Sequence, residues 1–281
     1  MNESEAAATA SAGQGTRNLL MRVSAAVVLA PLAIGLAYAG GWLWTALVTL
    51  AAIGLYVEWL TIVATRTPRV LAAGVVALAI AGTFLATERI VASLLSLVVG
   101  LAAVMLLSPE RRLWTATGFG YAAAAEFASV MIRLDKDHGF VALILVLLVV
   151  WMTDIGGYFV GRGIGGPKLW PRVSPKKTWA GAIGGFVASL AVAAGFAALG
   201  LGKTGPVLLL GAVLSVASQL GDLFESAVKR RFGVKDSSHI IPGHGGLLDR
   251  LDGFVAAIVL AAIFGFLRGG ADGVGRGLMV W

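Results

Sequence analysis

Long apolar runs separated by short polar stretches constrain the fold of this chain more than any other feature. Nine such runs occur, at about residues 23–40, 42–64, 70–86, 90–107, 113–132, 139–160, 179–201, 206–227 and 254–267. A helix needs about 20 mostly apolar residues to cross the hydrocarbon core of a bilayer. The pattern therefore predicts an all-α fold: a polytopic membrane bundle of about nine transmembrane helices.

Composition excludes a water-soluble globule, because 58% of the 281 residues are hydrophobic and only 13% are charged. Soluble domains are typically about 25% charged. The chain has no Cys and only three His, so any metal must be bound mainly by oxygen. The net charge of +7 suits a positive-inside membrane protein, an anionic lipid surface or an anionic substrate. We expect the lipid bilayer as a partner and no nucleic acid.

The basic residues predict the orientation. With a cytoplasmic N-terminus, 16 of the 22 Lys and Arg residues lie in cytoplasmic segments and 6 lie outside, which favours N-terminus in and C-terminus out. Ten of the 16 lie in two longer connections, residues 161–178 (the first loop) and residues 229–253 (the second loop). We therefore expect the chemistry on the cytoplasmic face.

The distribution of polar residues divides the chain into three parts. Residues 1–16 are rich in Ala, Ser, Gly, Glu and Thr and lack the features of a signal peptide, which predicts a disordered cytoplasmic tail. Residues 17–137 are predicted to form an N-terminal transmembrane scaffold of about five helices. Residues 138–281 are predicted to form a catalytic region of about four helices and the two loops.

Carboxylates in spanning helices are costly and usually face a cavity, a partner or a metal. Glu58 fits an interfacial anchor as well as a function, and Glu126 fits a buried helix–helix hydrogen bond at least as well as a substrate role. Asp154, which precedes a Gly pair and a Tyr near the end of its run, favours function. Helical spacing places Asp222 and Glu225 on one face, together with Ser218 and, one turn further on, Lys229. That polar stripe predicts a lined site.

Two short motifs in the loops indicate phosphate chemistry. Ser174-Pro-Lys-Lys-Thr178 precedes a helix, where backbone N–H groups, two ammonium groups and two hydroxyls can converge on phosphate. A positive-inside anchor would also explain the two lysines, but the hydroxyls and the proline favour phosphate binding. The second loop contains Pro242-Gly-His-Gly-Gly246, which suits close approach to a ligand. Asp249 and Asp252 follow at helical spacing, with Arg250 offset from them, and could bind Mg²⁺ beside a polyphosphate.

The second half of the chain resembles the CDP-diacylglycerol synthase, or phosphatidate cytidylyltransferase, family. The family signature is Ser-x-x-Lys-Arg, four residues, Lys-Asp, then an apolar residue with Pro-Gly-His-Gly-Gly and x-Asp-Arg-x-Asp, and residues 226–252 match it. Residues 154–181 and 218–225 match other family segments, whereas the earlier runs match in hydropathy only. Relatives carry Glu or Gln where this chain has Ala180, which puts a polar role for that side chain in doubt.

The resemblance implies a multi-pass enzyme of phospholipid biosynthesis in the inner (plasma) membrane, with its active site facing the cytoplasm. It would join CTP and phosphatidate to give CDP-diacylglycerol and pyrophosphate, with Mg²⁺ and, as an open question, a second monovalent or divalent cation. The resemblance also suggests a homodimer. Phosphatidate is already ionised at neutral pH, so the reaction needs no general base, whereas a divalent metal would neutralise the nucleophile and the leaving group.

The predicted site residues follow from the motifs and the resemblance together. Asp222 and Asp249 resemble the family's metal-holding carboxylates, and Asp154 and Asp252 match acidic positions near them, as direct ligands or behind them. The other predicted catalytic residues are Lys229, Arg230, His244 (as a positioning or phosphate-donating group) and Arg250. The predicted substrate-binding residues are Ser174, Lys176, Lys177, Thr178, Ser218, Lys235, Gly243 and Gly245.

Other functions stay open at this stage. A secondary transporter of an anionic solute could use Asp154, Asp222 and Glu225 as a cation or proton relay. No inverted repeat is visible, however, and the polar residues gather in loops rather than at the membrane midplane. Another membrane lipid nucleotidyltransferase is the second alternative. A purely structural subunit would leave the glycine-rich second loop without a purpose.

Overall fold

The computed structural model describes residues 30–238 and 245–281, and this part of the chain is almost entirely helical. Seven of its helices are long and apolar enough to cross a membrane, which confirms an all-α, multi-pass membrane fold. The helices are α1 Ala30–Ala39, α2 Gly41–Ile62, α3 Pro68–Ala86, α4 Ile90–Leu107, α5 Arg112–Leu134, α6 Gly139–Ile164, α7 Trp179–Ala198, α8 Thr204–Arg231, α9 Leu248–Gly269 and α10 Val274–Met279.

Each of the nine predicted apolar runs overlaps one of the helices α1–α9. The seven helices that meet the length and hydropathy requirement are α2, α3, α4, α6, α7, α8 and α9. Helix α5 carries Glu126 and Arg133 and packs against α2, α4, α6 and α9. The exact number of spans therefore stays a prediction, as do the division of the chain at residue 138 and the orientation of the termini. The predicted tail, residues 1–16, lies outside the described residues.

The first loop contains a short β-hairpin that the sequence did not indicate. Strand β1, Lys168–Trp170, pairs antiparallel with β2, Ser174–Thr178. The hairpin leads directly into α7, because the Thr178 side chain caps this helix by accepting a hydrogen bond from Gly181 N at 3.1 Å. A threonine cap satisfies one of the N–H groups that a helix start leaves without a partner.

Helices α6 and α7 are the most closely packed pair in the bundle, because glycines occupy the positions where the two helices meet. A Cβ atom on Gly181 would lie 2.8 Å from the carbonyl oxygen of Gly157, and one on Gly185 would overlap the carbonyl oxygen of Thr153. Small residues allow membrane helices to approach closely without a hydrophobic driving force between them. This contact fixes the end of α6 against the start of α7, where the hairpin begins and ends.

The apolar interior has two parts that meet at α8 and α9. One surrounds α6, whose Val146 and Val149 are fully buried. The other lies between α2, α3 and α5 and also includes Val228, Leu248 and Val255 from α8 and α9. The end of α8 and the start of α9 are therefore packed against the first half of the chain as well as the second.

We expect Gly185→Ala to lower the free energy of unfolding by about 1–3 kcal/mol, the usual range for overpacking a tight interior. Its new methyl group would meet the α6 backbone, which cannot rotate away as a side chain can. Gly195→Ala is the matched control in the same helix, because a Cβ there meets nothing within 4 Å. Thermal unfolding in detergent measures both variants, and equal unfolding temperatures would contradict this account of the α6–α7 contact.

Candidate active site

Acidic side chains from three helices gather at one end of the bundle. The end of α6 meets the start of α7, and the second half of α8 packs on the first half of α9. This arrangement brings Asp154 of α6, Asp222 and Glu225 of α8, and Asp252 of α9 within electrostatic range of one another. Three of the four carboxylates that the sequence predicted as metal ligands therefore belong to one cluster.

Two polar groups in the same region have unused hydrogen-bonding capacity. Ser218 Oγ and Glu225 Oε1 are buried, and neither has a hydrogen-bond partner among the described residues. Buried polar atoms in folded proteins are nearly always paired. Together with the crowding of like charges, these atoms indicate a place that suits a cation or another polar ligand.

Lys177 supplies one cation to the acidic cluster. It lies at the end of β2 and forms an ion pair and a hydrogen bond with Asp222 Oδ2. Ser226 Oγ donates to the other oxygen of Asp222 over 3.4 Å. Successive side chains of a strand point to opposite faces, and the neighbouring Lys176 is exposed. The hairpin therefore serves to bring one of the two predicted lysines to the cluster.

Lys229 supplies a second cation, between two carboxylates. Its Nζ lies 2.7 Å from Glu225 Oε2 and 2.5 Å from Asp249 Oδ1. The lysine and Glu225 are buried. A buried ammonium group is tolerated when carboxylates compensate for its lost hydration. Lys229 thus joins the fourth predicted carboxylate, Asp249, to the stripe on α8.

The second oxygen of Asp249 organises the second loop. Asp249 Oδ2 accepts hydrogen bonds from Ser237 N at 3.1 Å, from Ser237 Oγ at 3.0 Å and from Gly246 N at 3.0 Å. Every strong contact of this carboxylate is therefore to Lys229 or to the loop. Asp249 and Asp252 share the first turns of α9 as predicted, but they face different neighbours.

Glu58, for which the sequence left an interfacial anchor and a function equally open, was not among the predicted site residues. This residue of α2 is only 1% exposed. It accepts hydrogen bonds from Ser237 Oγ at 2.8 Å, Ser238 Oγ at 2.6 Å, and the backbone N–H groups of Leu247 and Leu248, both at 2.8 Å. The one signal in the sequence was a carboxylate near the end of an apolar run, which an interfacial anchor explained equally well.

The remaining predicted residues occupy varied positions. Thr178 is buried and caps α7. Arg250 is close enough to Asp154 to interact with it electrostatically. Arg230 and Lys235 are exposed, and Ser174 is half-buried in β2. Predicted residues Gly243 and His244 lie outside the described residues, and Gly245 has a left-handed φ of 84°.

Carboxylate oxygens are the type of ligand that Mg²⁺ prefers. In the described part of the chain, however, protein side chains alone do not supply a full set of ligands for the ion. Over residues 30–238 and 245–281, no three acidic or histidine side chains are arranged to hold a metal ion. Mg²⁺ is commonly bound through one or two carboxylates, with waters and substrate phosphates as the other ligands. A carboxylate cluster flanked by lysines matches that mode of binding.

The fold and this cluster define a polytopic membrane protein with a charge-paired polar centre at one end of its helical bundle. A sequence model of the cytidylyltransferase family matches residues 20–267. Since that match covers most of the chain, the protein belongs to the cytidylyltransferase family.

Several curated relatives carry the name phosphatidate cytidylyltransferase. The chain is similar to the one from Brucella suis, with 42% identity over 255 residues, which is 88% of this chain and 93% of the relative. The relative from Haemophilus influenzae is 41% identical over 162 residues, 53% of this chain and 56% of its own. The one from Bacillus subtilis is 45% identical over 128 residues, 45% of this chain and 48% of its own.

We expect Lys229→Met to be strongly destabilising, because it would leave the buried Glu225 and the half-buried Asp249 as neighbouring carboxylates without their common cation. Removal of one partner from a buried ion pair typically costs about 3–5 kcal/mol. Lys203→Met, at the opposite end of α8, is the control, since that lysine is exposed. Unfolding in detergent should separate the two variants clearly. Similar unfolding curves would mean that Lys229 does not neutralise this part of the site.

Proposed function

We propose that this chain is a phosphatidate cytidylyltransferase, which converts CTP and phosphatidate to CDP-diacylglycerol and pyrophosphate. The observation that carries the proposal is the convergence of Asp154, Asp222 and Asp252 from three helices, with Lys177 paired to one of them. Family membership and the names of relatives that align over most of the chain support the same reaction.

The reaction makes one phosphorus–oxygen bond and breaks another. A phosphatidate oxygen attacks the α-phosphorus of CTP, and the bond to the β-phosphate oxygen breaks, so that pyrophosphate leaves with the electron pair. Bound Mg²⁺ would neutralise the negative charge of the triphosphate and the leaving group. Asp222 and Asp249 are its proposed ligands, with Asp154 and Asp252 as direct ligands or as supports for them.

The lysines have a defined part in this proposal. Lys177 and Asp222 neutralise each other when no substrate is bound. Were Asp222 to hold a metal ion, the ammonium group of Lys177 would be available to a phosphate oxygen. Arg250, exposed beside the cluster, adds positive charge for the second phosphorylated substrate. Fixed cations of this kind stabilise charge that develops on transferred phosphates.

The membrane arrangement is a further part of the proposal. We propose nine spans, with the N-terminus and both loops in the cytoplasm, the C-terminus outside, and the protein in the inner membrane. The site then lies where soluble CTP and the headgroup of a membrane lipid can meet. The concentration of basic residues in the two loops supports this orientation. A homodimer is also proposed and rests on the family resemblance alone.

Purified protein should form CDP-diacylglycerol and pyrophosphate from labelled CTP and phosphatidate when Mg²⁺ is present, and EDTA should stop the reaction. We expect Asp222→Asn to reduce kcat by at least about 100-fold, because a neutral amide lacks the negative charge with which a carboxylate binds Mg²⁺. Asp272→Asn, at an exposed position beyond α9, is the control and should keep its activity. Near-normal turnover by Asp222→Asn would remove this residue from the site.

Because the chain contains no Cys, single cysteines can report the orientation without background labelling. Lys168→Cys, in the exposed hairpin, should react with a membrane-impermeant maleimide only in inside-out vesicles. Lys203→Cys, in the connection between α7 and α8, should react only in right-side-out vesicles. The reverse pattern would overturn the proposed orientation, and labelling of both from one side would overturn the helix arrangement between them.

A further inference from the structure

The described parts of the second loop are attached to helices of the first half of the chain. On one side, Phe232 packs edge-on against Trp114 of α5, with ring centroids 5.0 Å apart, and beneath Arg111 at 5.7 Å. On the other side, Leu247 and Leu248 donate their backbone N–H groups to Glu58 of α2. The predicted scaffold therefore holds the loop where it leaves α8 and where it enters α9.

Glu58 does more than cap a helix, because it shares a hydroxyl group with the proposed metal ligand. Ser237 Oγ lies 2.8 Å from Glu58 Oε2 and 3.0 Å from Asp249 Oδ2. A serine hydroxyl has a single proton to donate, so the two carboxylates compete for it. The position of Asp249 is thereby linked to that of Glu58 through Ser237.

The packing around this link leaves little freedom. A Cβ atom at Gly246 would lie 2.5 Å from Glu58 Oε2 and would overlap Ser237 Oγ. Glu58 is buried, and each of its two oxygens accepts two hydrogen bonds. One comes from a backbone N–H group at the start of α9 and the other from a serine hydroxyl of the second loop. Such a network fixes both the entry angle of α9 and the rotamer of the carboxylate in its first turn.

We infer that Glu58 is a positioning residue for the active site, which holds the second loop and the start of α9 so that Asp249 is presented to its ligand. This inference rests on the proposed function for its catalytic consequence, whereas its structural part stands on the contacts alone. Groups that orient a metal ligand typically contribute about 10–100-fold to metal affinity or activity. The first half of the chain would then take part directly in shaping the site.

Glu58→Gln tests the inference with minimal change of shape. The amide keeps one acceptor oxygen, but its NH₂ group replaces the other oxygen and faces one backbone N–H and one serine hydroxyl that had donated to the carboxylate. We expect faster hydrogen exchange at the amides of Gly246, Leu247 and Leu248. In the enzyme assay, we expect about a 10-fold or greater rise in the half-saturating Mg²⁺ concentration and a fall in kcat, with the KM for phosphatidate within about 3-fold of the original value.

Glu126→Gln is the matched control, because Glu126 is also a buried carboxylate of the first half and bonds to Thr49 Oγ1 rather than to the loop. It should leave both the exchange rates and the Mg²⁺ dependence unchanged. If Glu58→Gln only reduced the amount of folded enzyme, activity would fall while the half-saturating Mg²⁺ concentration stayed constant. That result, or exchange rates equal to those of the control, would overturn the inference.

The failure of the inference can be told apart from the failure of the proposed function. If the unaltered protein forms no CDP-diacylglycerol, the proposed function fails, and the exchange experiment still decides whether Glu58 holds the loop. If Glu58→Gln lowers the unfolding temperature by more than about 10 °C, Glu58→Asp replaces it. This variant keeps the charge and withdraws it by one methylene, so the same shift in Mg²⁺ dependence is expected to a smaller extent, and no shift would overturn the inference.

Discussion

Neutralising the carboxylates that gather at one end of a helical membrane bundle, of which Glu225 is buried and Asp222 and Asp249 are half-buried, is the requirement on which the rest of this structure depends. A buried charge without a partner is one of the most costly features that a fold can carry. Here Lys229 lies between Glu225 and Asp249, and Lys177 pairs with Asp222. The β-hairpin, the last turns of α8 and the first turn of α9 all carry residues of these ion pairs and bring the charges together.

The same requirement explains why the chain uses its two halves jointly. Glu58 and the aromatic contact between Trp114 and Phe232 tie the second loop to α2 and α5. Val228 and Leu248 continue the apolar interior of the first half into α8 and α9. The predicted five-helix region therefore contacts the second loop and the start of α9, next to the candidate site. Its division from the remaining helices stays a prediction.

Apolar runs were sufficient to predict helices α1–α9, because each run needs only local information: enough apolar residues to cover a membrane's depth. The polar stripe on α8 was predictable for the same reason, since Ser218, Asp222 and Glu225 repeat at helical spacing. The hairpin was missed because its Lys- and Pro-rich strands lack the alternating apolar pattern of a typical strand.

The pairing of charges could not be predicted, because it depends on contacts between distant segments. Lys177 and Asp222 are 45 residues apart, and Glu58 lies 179 residues or more from the serines and amides that it binds. Sequence spacing predicted that Asp249 and Asp252 lie on the same side of α9. Asp249 nevertheless contacts Lys229 and the second loop, whereas Asp252 lies near Asp154 and Asp222, and this difference depends on the packing of α8 on α9. The family of the chain was predictable from residues 226–252, and its membership is confirmed.

The central claim is that this charge-paired cluster binds the metal and triphosphate of CTP. The most direct test is an experimental structure of the protein with CTP and Mn²⁺ in place of Mg²⁺, with the metal located by its anomalous scattering. The account predicts a manganese peak bound by Asp222 and Asp249, with Lys177 moved from Asp222 to a phosphate oxygen. A peak away from both carboxylates, with the Lys177–Asp222 pair intact and CTP bound elsewhere, would contradict it.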